Sequence, residues 1–478
     1  MEHRPLLDNN TDSFDKEYEK NFLPDDIEDR WVRWVLQTSK TPADISSVLK
    51  LCMVESVNND HRQLITYALE LNNMIDNIRN GAIDIEVIKN GSRLIENFLN
   101  YTHEHFSREE QLIQKFNLPF YDKQIEQHQL IIEKLENLLT NFKSGRLAFT
   151  QKLKLMLLEW VIIHVISTDM ETFKLEHFNY FILNAHSWSD FNDIIRRVGI
   201  SEIDDQHQVI TKQSLKILQM NKDRAITIDS LDLLDSFVNE VALLKKLLHE
   251  HFIYEEKLIK NYNIPNLEKQ SNNHKQFLTT INSLEVAIKE SNKLEGIEKF
   301  RQFIITWWIN HINNVDYATF SIASWAPRIL ESAQNIEEIK WILKITGIPE
   351  IDTDHLYFVE NCIKLTQLIQ ADPETALSKI VPLFQEMVEY AIAHFAREEV
   401  IMKKENIPNV HNHIQEHQRI SKFLLKKNSE FESGFIALAS IHHLKAVILE
   451  QWFNHTNIVD YRTFVEERYA INNEEITK

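Results

Sequence analysis

Glycine and proline are scarce in this chain, and cysteine is almost absent. The 478 residues include 7 glycines and 10 prolines, which leaves little turn chemistry and favours an almost entirely helical protein. The two cysteines, Cys52 and Cys362, are too few for a disulfide framework. We therefore expect both to be small core or boundary side chains of a protein in a reducing compartment.

Positive charge and long apolar runs are also lacking. Lys and Arg number 52 against 71 Asp and Glu, so the formal net charge is −19. Without a basic surface to displace counterions from phosphates, we expect no nucleic-acid partner and no attachment to membranes. The longest apolar run, residues 155–167, is shorter than the roughly 18–20 residues that cross a bilayer. The N-terminus lacks the basic and apolar regions of a signal peptide, so we expect a cytoplasmic protein.

The chain does contain one set of motifs that occurs three times. Matching motifs lie 143 to 148 residues apart, and self-similarity at a fixed spacing is typical of tandem domains. The first motif is EIDDQH at 202–207, EIDTDH at 350–355 and, more weakly, SVNNDH at 56–61; the second is HFSREE at 105–110, HFIYEE at 251–256 and HFAREE at 394–399; the third is HVISTD at 164–169, HINNVD at 311–316 and HTNIVD at 455–460. The spacing predicts domains at 41–184, 185–332 and 333–478, after an acidic extension at 1–40.

Each copy is predicted to be an antiparallel bundle of four helices with short connections. Asn58, Asp204 and Asp352 stand where they would cap the first helix. The second helix must end near an Asn-x-Pro sequence that follows the second motif, because proline cannot continue a helix. The fold class is therefore all-α, with three tandem up-down four-helix bundles. The connecting segments 183–203 and 331–351 contain short amphipathic stretches, which favours stacking of neighbouring domains.

The second motif places a histidine and a glutamate four residues apart, as in His105 and Glu109. On a helix this spacing puts both side chains within about 40° of each other on one face. His413 and His417 form a second pair at the same spacing in the third copy. Imidazoles and carboxylates that converge inside a bundle are typical of a metal site, because a buried carboxylate needs a compensating cation.

The third motif is less regular, because its histidine and aspartate are five residues apart, as in His455 and Asp460. On a regular helix the two side chains would lie about 140° apart. Either the helix widens locally into a π-bulge, or the two side chains reach the site from opposite flanks. The spacing alone leaves both arrangements open.

The ordered set of a lone histidine, H-x3-E, H-x3-H and H-x4-D resembles the hemerythrin family, and the resemblance covers nearly all of residues 41–478. In that family, five histidines and two carboxylates hold two irons. The resemblance implies these roles in the third copy: one iron held by His355 and His394, the other by His413, His417 and His455, and both bridged by Glu398 and Asp460.

The first and second copies depart from this pattern at one position. Gln124 and Gln270 stand where the third copy has His413. The six other positions are kept: His61, His105, Glu109, His128, His164 and Asp169 in the first copy, and His207, His251, Glu255, His274, His311 and Asp316 in the second. An amide is a poor iron ligand beside imidazole, so we expect two irons in the third domain and fewer or weaker irons in the other two.

Residues beside the motifs are not expected to hold metal. Eight histidines fall outside the pattern and are expected to lie at the surface or at its boundary: His3, His103, His177, His186, His249, His411, His442 and His443. Glu110, Glu256 and Glu399 follow the glutamate of the H-x3-E pair and point about 100° away from it, which predicts a solvated face. The neighbouring aromatic residues are predicted to lie in the core: Phe106, Phe252, Phe395, Trp160, Trp307 and Trp452.

Three functions fit a site of this kind. The first is reversible binding of dioxygen for storage, delivery or sensing, because five neutral imidazoles and two carboxylates stabilise high-valent iron less than a carboxylate-rich site does. The second is a di-iron peroxidase or oxidase, but the E-x-x-H motifs of such carboxylate-rich sites do not describe these ligand sets. The third is storage or sensing of iron, sensing of nitric oxide, or a scaffold in which two copies have degenerated. We favour dioxygen binding, with no catalytic residue and no enzymatic activity.

Overall fold

The computed structural model describes residues 52–80, 85–144, 164–220, 231–290, 293–370, 373–407, 410–432, 445 and 448–467. The predicted extension at 1–40, Trp160, and three histidines outside the pattern (His3, His442 and His443) lie outside these residues. Almost all of the described chain is helical and it contains no strand, which confirms the all-α prediction. Among the described helices, none is long and apolar enough to cross a membrane.

The chain divides into two compact units, one that ends at Phe178 and one that begins at Asn179. The described elements of the first unit are α1 (Glu55–Asn80), α2 (Ile85–Phe116), α3 (Tyr121–Lys143), a π-helical segment (Val165–Asp169) with a short helix (Met170–Thr172), and the start of α4 (Leu175–Asn184). Helix α2 packs against both α1 and α3. These helices form the bundle of the first predicted domain.

The second unit contains the second and third predicted domains. Its longer elements are α5 (Ser201–Gln219), α6 (Leu231–Asn261), α7 (Leu267–Glu290), α8 (Lys293–His311) with its π-helical continuation (Ile312–Asp316), α9 (Ile322–Ser332), α10 (Pro349–Gln370), α11 (Pro373–Lys404), α12 (Val410–Glu432), and the π-helical segments His455–Asp460 and Arg462–Glu467. Short 3-10 helices lie in the segments that lead into the two domains: Trp188–Phe191, Ile336–Glu338 and Lys340–Ile342.

Neighbouring helices of the third domain run in opposite directions. His355 lies in the second turn of α10, whereas His394 lies about two-thirds of the way along α11, and the two ring centroids are 5.1 Å apart. His417, near the start of α12, stacks on Phe395 of α11 at 4.4 Å. Asp354 of α10 contacts Arg397, whereas Tyr357, further along α10, donates to Glu386, which is earlier in α11. Helix α10 is therefore antiparallel to α11, and α12, which packs against α11 after a short connection, is antiparallel to it as well, as predicted.

The first helix of each domain begins three residues before the predicted capping residue, at Glu55, Ser201 and Pro349. The prediction that Asn58, Asp204 and Asp352 cap these helices is therefore wrong. Each side chain lies inside the first turn and reaches back to the incoming chain. Asp204, for example, accepts hydrogen bonds from the backbone N–H groups of Val198 and Gly199 at 2.9 and 3.2 Å. Gly199 has a φ of 77°, which glycine adopts without steric cost.

The second helix of each domain ends just before its Asn-x-Pro sequence, as predicted. Helix α2 ends at Phe116, and Asn117 follows with a φ of 51°. Asn263 and Asn406, which follow α6 and α11, have φ values of 51° and 53°. Asparagine tolerates this left-handed conformation, which ends a helix by turning the chain away from its axis.

One hydrophobic cluster in the second unit extends from residues 185–332 into residues 333–478. Trp325 is fully buried in it and packs edge-to-face against Phe453, with 5.0 Å between ring centroids. Its indole N–H donates to the carbonyl of Val198 at 3.0 Å. The second and third domains therefore share a core, and segment 331–351 is packed into it. Both cysteines are buried, as expected.

Candidate metal centres

Seven side chains of the third domain converge in the middle of the bundle, and each is at most 4% exposed. They are His355, His394, Glu398, His413, His417, His455 and Asp460. Oδ2 of Asp460 lies 3.0 Å from Nε2 of His355, and Oδ1 lies 3.1 Å from Nε2 of His413. Oε2 of Glu398 lies 3.1 Å from Nε2 of His417.

These seven side chains form two groups that share the carboxylates. One group is His355, His394, Glu398 and Asp460, whose ligand atoms all lie within 4.8 Å of one another. The other is Glu398, His413, His417 and His455, at the same spacing. Glu398 belongs to both groups, and Asp460 directs one oxygen towards each. Two cations could therefore lie side by side with both carboxylates between them.

The corresponding side chains of the first and second domains also converge. In the first domain, one group is His61, His105, Glu109 and Asp169. His128 approaches Oε2 of Glu109 at 3.3 Å, and His164 approaches Oδ1 of Asp169 at 3.2 Å. In the second domain, the groups are His207, His251, Glu255 and Asp316, and Glu255, His274, His311 and Asp316. The structure thus brings the predicted site residues of each domain together.

The H-x4-D motif forms a π-helical turn in every domain, in Val165–Asp169, Ile312–Asp316 and His455–Asp460. Hydrogen bonds in a π-helix join residues five apart, so such residues become neighbours one turn apart. Nε2 of His311 consequently lies 3.1 Å from Oδ1 of Asp316. Of the two arrangements that the spacing left open, local widening of the helix is the one found.

The hydrogen bonds of the imidazoles indicate that these sites fit metal ions. Within the described chain, the Nε2 atoms of all the site histidines except His455 are buried and have no hydrogen-bond partner. Several of the same rings have Nδ1 beside an acceptor outside the site, which favours a proton on Nδ1 and a lone pair on Nε2. Two buried carboxylates among such nitrogens are costly without a cation. Imidazole nitrogens and carboxylate oxygens together suit iron.

The prediction of a solvated face for Glu110, Glu256 and Glu399 is wrong. Each half-buried carboxylate accepts from Nδ1 of the third-helix histidine, at 2.8, 3.2 and 3.3 Å in the three domains. The offset of about 100° from the preceding glutamate points these side chains to the third helix, which packs beside the second. A carboxylate in this position orients the ring and strengthens Nε2 as a ligand.

The residue that precedes the first-helix histidine also contacts the site, although the motifs did not single it out. Asp60, Gln206 and Asp354 each lie within 3.2 Å of Nδ1 of the second-helix histidine in their own domain. A signal was present, because a polar side chain capable of accepting a hydrogen bond stands directly before that histidine in all three copies. Adjacent helical residues point in different directions, so the spacing within one helix does not reveal a contact to the next.

Burial and mutual repulsion act on the shared carboxylates. Burial and the nearby Asp460 raise the pKa of Glu398, and burial and Asp316 raise the pKa of Glu255 in the same way. In the first domain burial also works to raise the pKa of Glu109, but the neighbouring histidines outweigh it and hold the pKa well below its ordinary value. A cation between the carboxylates would remove the repulsion in the second and third domains.

Gln124 and Gln270 occupy the place that His413 has in the third domain. The amide nitrogen of each donates to Oδ1 of the shared aspartate at 2.9 Å, to Asp169 in one case and to Asp316 in the other. The amide oxygen of each is buried and has no hydrogen-bond partner within the described chain. The amide N–H therefore uses a carboxylate lone pair that an imidazole ligand would leave for the cation.

Aromatic rings cover one side of each site. Phe106, Phe252 and Phe395 are buried, as predicted, and stack on the third-helix histidines at 3.8, 3.9 and 4.4 Å between centroids. Trp452 is buried beside the third site, whereas Trp307 is half-buried and stacks on the fourth-helix histidine of the second domain at 4.5 Å. These rings place apolar surface against the site histidines.

The described histidines outside the pattern take no part in these groups. His103, His186, His249 and His411 are exposed. His177 is half-buried, and its Nδ1 lies 3.1 Å from a backbone carbonyl. These positions agree with the prediction that these histidines lie at the surface or at its boundary.

Three stretches of the chain, residues 52–175, 198–323 and 346–455, match the family described as Hemerythrin HHE cation binding domain. The bacteriohemerythrins of Pseudomonas aeruginosa strains LESB58 and UCBPP-PA14 and of Pseudomonas paraeruginosa strain PA7 are each 28% identical to this chain over 111 residues, which are 23% of this chain and 68% of the relative. No solved structure matches the chain. Each of the three stretches lies within one predicted domain and contains an H-x3-E pair whose side chains meet in a cluster. The chain therefore belongs to the hemerythrin family.

Proposed function

We propose that this iron-binding protein holds a di-iron centre in its third domain and binds dioxygen there reversibly, for storage, delivery or sensing. The observation that carries the proposal is the complete and buried set of five imidazoles and two shared carboxylates in that domain. Membership of the family implies iron. The number of irons and the ligand dioxygen are our inference from the site.

The two groups of side chains assign a place to each iron. His355 and His394 would hold one iron, and the three histidines of the other group (His413, His417 and His455) would hold the second. Glu398 and Asp460 would contact both. Two ferrous ions, when bound, supply the reducing equivalents on which reversible uptake of dioxygen depends.

The composition of the site favours binding over oxidation of a substrate. Neutral imidazoles donate less negative charge than carboxylates, so they stabilise high-valent iron less. Burial supports the same conclusion, because the stacked Phe395 and the buried Trp452 keep bulk water away from the cluster. Exclusion of water suppresses side reactions that would consume a reactive ligand.

The first and second domains are proposed to hold fewer or weaker irons. Gln124 and Gln270 replace an imidazole and direct an amide N–H at the shared aspartate. Loss of an imidazole weakens the group to which it belongs, and the amide also competes for the bridging oxygen. We therefore expect two firmly held irons per chain and a smaller, weakly held remainder.

The acidic composition supports the remaining part of the proposal. A net charge of −19 disfavours contact with nucleic acid or with anionic membranes. Together with the low cysteine content, it supports action in the cytoplasm on a small diffusible ligand.

Iron content and spectra test this proposal directly. The full chain is loaded with Fe²⁺ under argon, its iron is counted, and absorption is recorded under argon, in air and again under argon. We expect about two firmly held irons and a spectral change that appears in air and reverses. Steady consumption of dioxygen with turnover of a reductant would favour an oxidase or peroxidase instead. A response to nitric oxide without a reversible response to dioxygen would favour a sensor.

A further inference from the structure

The acceptor beside Nδ1 of the second-helix histidine differs among the domains. In the first domain Oδ2 of Asp60 lies 3.2 Å from Nδ1 of His105. In the third domain Oδ2 of Asp354 lies 3.1 Å from Nδ1 of His394. In the second domain the acceptor is the neutral amide oxygen of Gln206, 2.9 Å from Nδ1 of His251. One site histidine in each domain thus has either a charged or a neutral partner.

The aspartate in the first and third domains is held by two further side chains. Tyr390 donates its hydroxyl hydrogen to Oδ1 of Asp354 at 2.6 Å, and Nε of Arg397 donates to Oδ2 at 2.8 Å. Tyr101 and Arg108 make the same contacts with the aspartate of the first domain, at 2.7 and 2.9 Å. These two donors balance the negative charge of the aspartate and hold its carboxylate beside the histidine.

The whole network is replaced in the second domain. Leu247 and Tyr254 stand where the other domains have the tyrosine and the arginine. Gln206 instead donates its amide hydrogen to Glu202 at 2.8 Å. The second domain therefore presents a neutral acceptor, and its neighbours have changed in a way that no longer supports a buried charge.

We propose that Asp60 and Asp354 are positioning residues that strengthen the metal group of the second-helix histidine, and that Gln206 makes the equivalent group of the second domain the weaker binder. A charged acceptor strengthens the hydrogen bond from Nδ1–H, which increases the electron density at Nε2 and makes it a stronger ligand for a cation. It also holds the ring in the tautomer and orientation that the cluster requires. Such outer partners typically change metal affinity by about 10- to 100-fold.

The test uses isosteric changes in the full chain, titrated with Fe²⁺ under argon against a competing chelator. Asp354→Asn keeps an acceptor oxygen and removes the charge. The double change Glu202→Gln with Gln206→Glu moves the charge from the exposed residue to the acceptor and leaves the net charge unaltered. Glu350→Gln, on the same helix as Asp354 but exposed, and Glu202→Gln alone are the matched controls.

We expect Asp354→Asn to weaken one iron of the third domain by about 10- to 100-fold and to raise its midpoint potential, because a weaker donor stabilises ferric iron less. The double change should strengthen iron binding in the second domain by a similar factor. Both controls should bind iron as the unaltered chain does. If the acceptor residues had only a structural role, Asp354→Asn would lower the melting temperature of the metal-free chain, and the double change would not raise the iron affinity of the second domain. If both variants compete with the chelator for Fe²⁺ as the unaltered chain does, the inference is overturned.

This inference rests on metal binding, which is one part of the proposed function, and not on dioxygen. A chain that holds no iron under any condition would refute both. A different outcome would separate the two. If iron affinity follows the charge of the acceptor but the absorption spectrum does not change with dioxygen, this inference is upheld and the proposed function is refuted.

Discussion

Replacing Gln270 by histidine should complete the site of the second domain. In the third domain His413 places Nε2 3.1 Å from Asp460 and Nδ1 3.0 Å from the hydroxyl of Thr463. The second domain already has the matching threonine, Thr319, which is 1% exposed and whose hydroxyl has no hydrogen-bond partner within the described chain. A histidine at position 270 would therefore find both contacts in place.

The size of the effect follows from what Gln270 does now. Its amide N–H is bound to Asp316 at 2.9 Å, and its amide oxygen has no partner. The substitution adds an imidazole ligand and frees the carboxylate oxygen. Outer partners alone alter metal affinity by about 10- to 100-fold, so we expect at least a tenfold gain, or about 1.4 kcal/mol.

The assay is anaerobic Fe²⁺ titration of the full chain against a chelator that holds the second domain of the unaltered protein half-loaded. Gln270→His should bind more iron per chain at the same chelator concentration, and the absorbance change in air should rise in proportion. Gln302→His is the control, because it adds a histidine at an exposed helical position. Equal iron content in the variant and the unaltered chain would contradict this prediction, as would six tightly held irons in the unaltered chain.

Three further changes have definite expected outcomes. Alanine at Glu398 or Asp460 should remove iron from both groups of the third domain together, because each carboxylate contacts both groups. Iron content measures this, and loss of one iron only would contradict the shared role of the carboxylates. Burial raises the pKa of the Cys362 thiol far above its ordinary value, so a thiol reagent at pH 8 should label Cys362 only after denaturation. Rapid labelling of the native chain would show that this thiol is accessible. Trp325→Ala should destabilise residues 179–478 by about 3–5 kcal/mol, which would lower the unfolding midpoint in urea. An unchanged midpoint would show that the hydrophobic cluster around Trp325 does not unfold as one cooperative unit.

The fold and the site residues could be predicted because each depends on spacing within one helix. The four-residue interval between His394 and Glu398 puts both on one face whatever surrounds the helix. The Asn-x-Pro sequences end helices through local backbone chemistry, and the structure places Asn117 in the left-handed region for this reason. One copy of this spacing could arise by chance, but three copies in the same order indicate a site.

The rest could not be predicted because it depends on which helix lies beside which face. Glu110 follows a site residue and looks like a solvated position in a helical projection, yet α3 packs on that side and His128 reaches it at 2.8 Å. Asp354 likewise meets His394 only when α10 and α11 are packed. The π-helical turn at His311 and Asp316 is a further case, since one extra residue in a turn depends on contacts from other helices.

The first domain departs from the third in one group of side chains and the second domain departs in both groups, so the proposed roles of these residues predict an order of loading. Gln270 belongs to the group that contains His274 and His311, whereas Gln206 acts on the other group of the same domain, so the second domain is weakened on both sides. The first domain has an amide at Gln124 but keeps its charged acceptor, Asp60, so the group of His105 retains that support even though Gln124 donates to the shared Asp169. Because the carboxylates are shared, a cation in the supported group also orients them for its neighbour. Iron should therefore fill the third domain first, then the first, then the second, and the three unequal sites should respond over a wider range of iron concentration than three equal sites would.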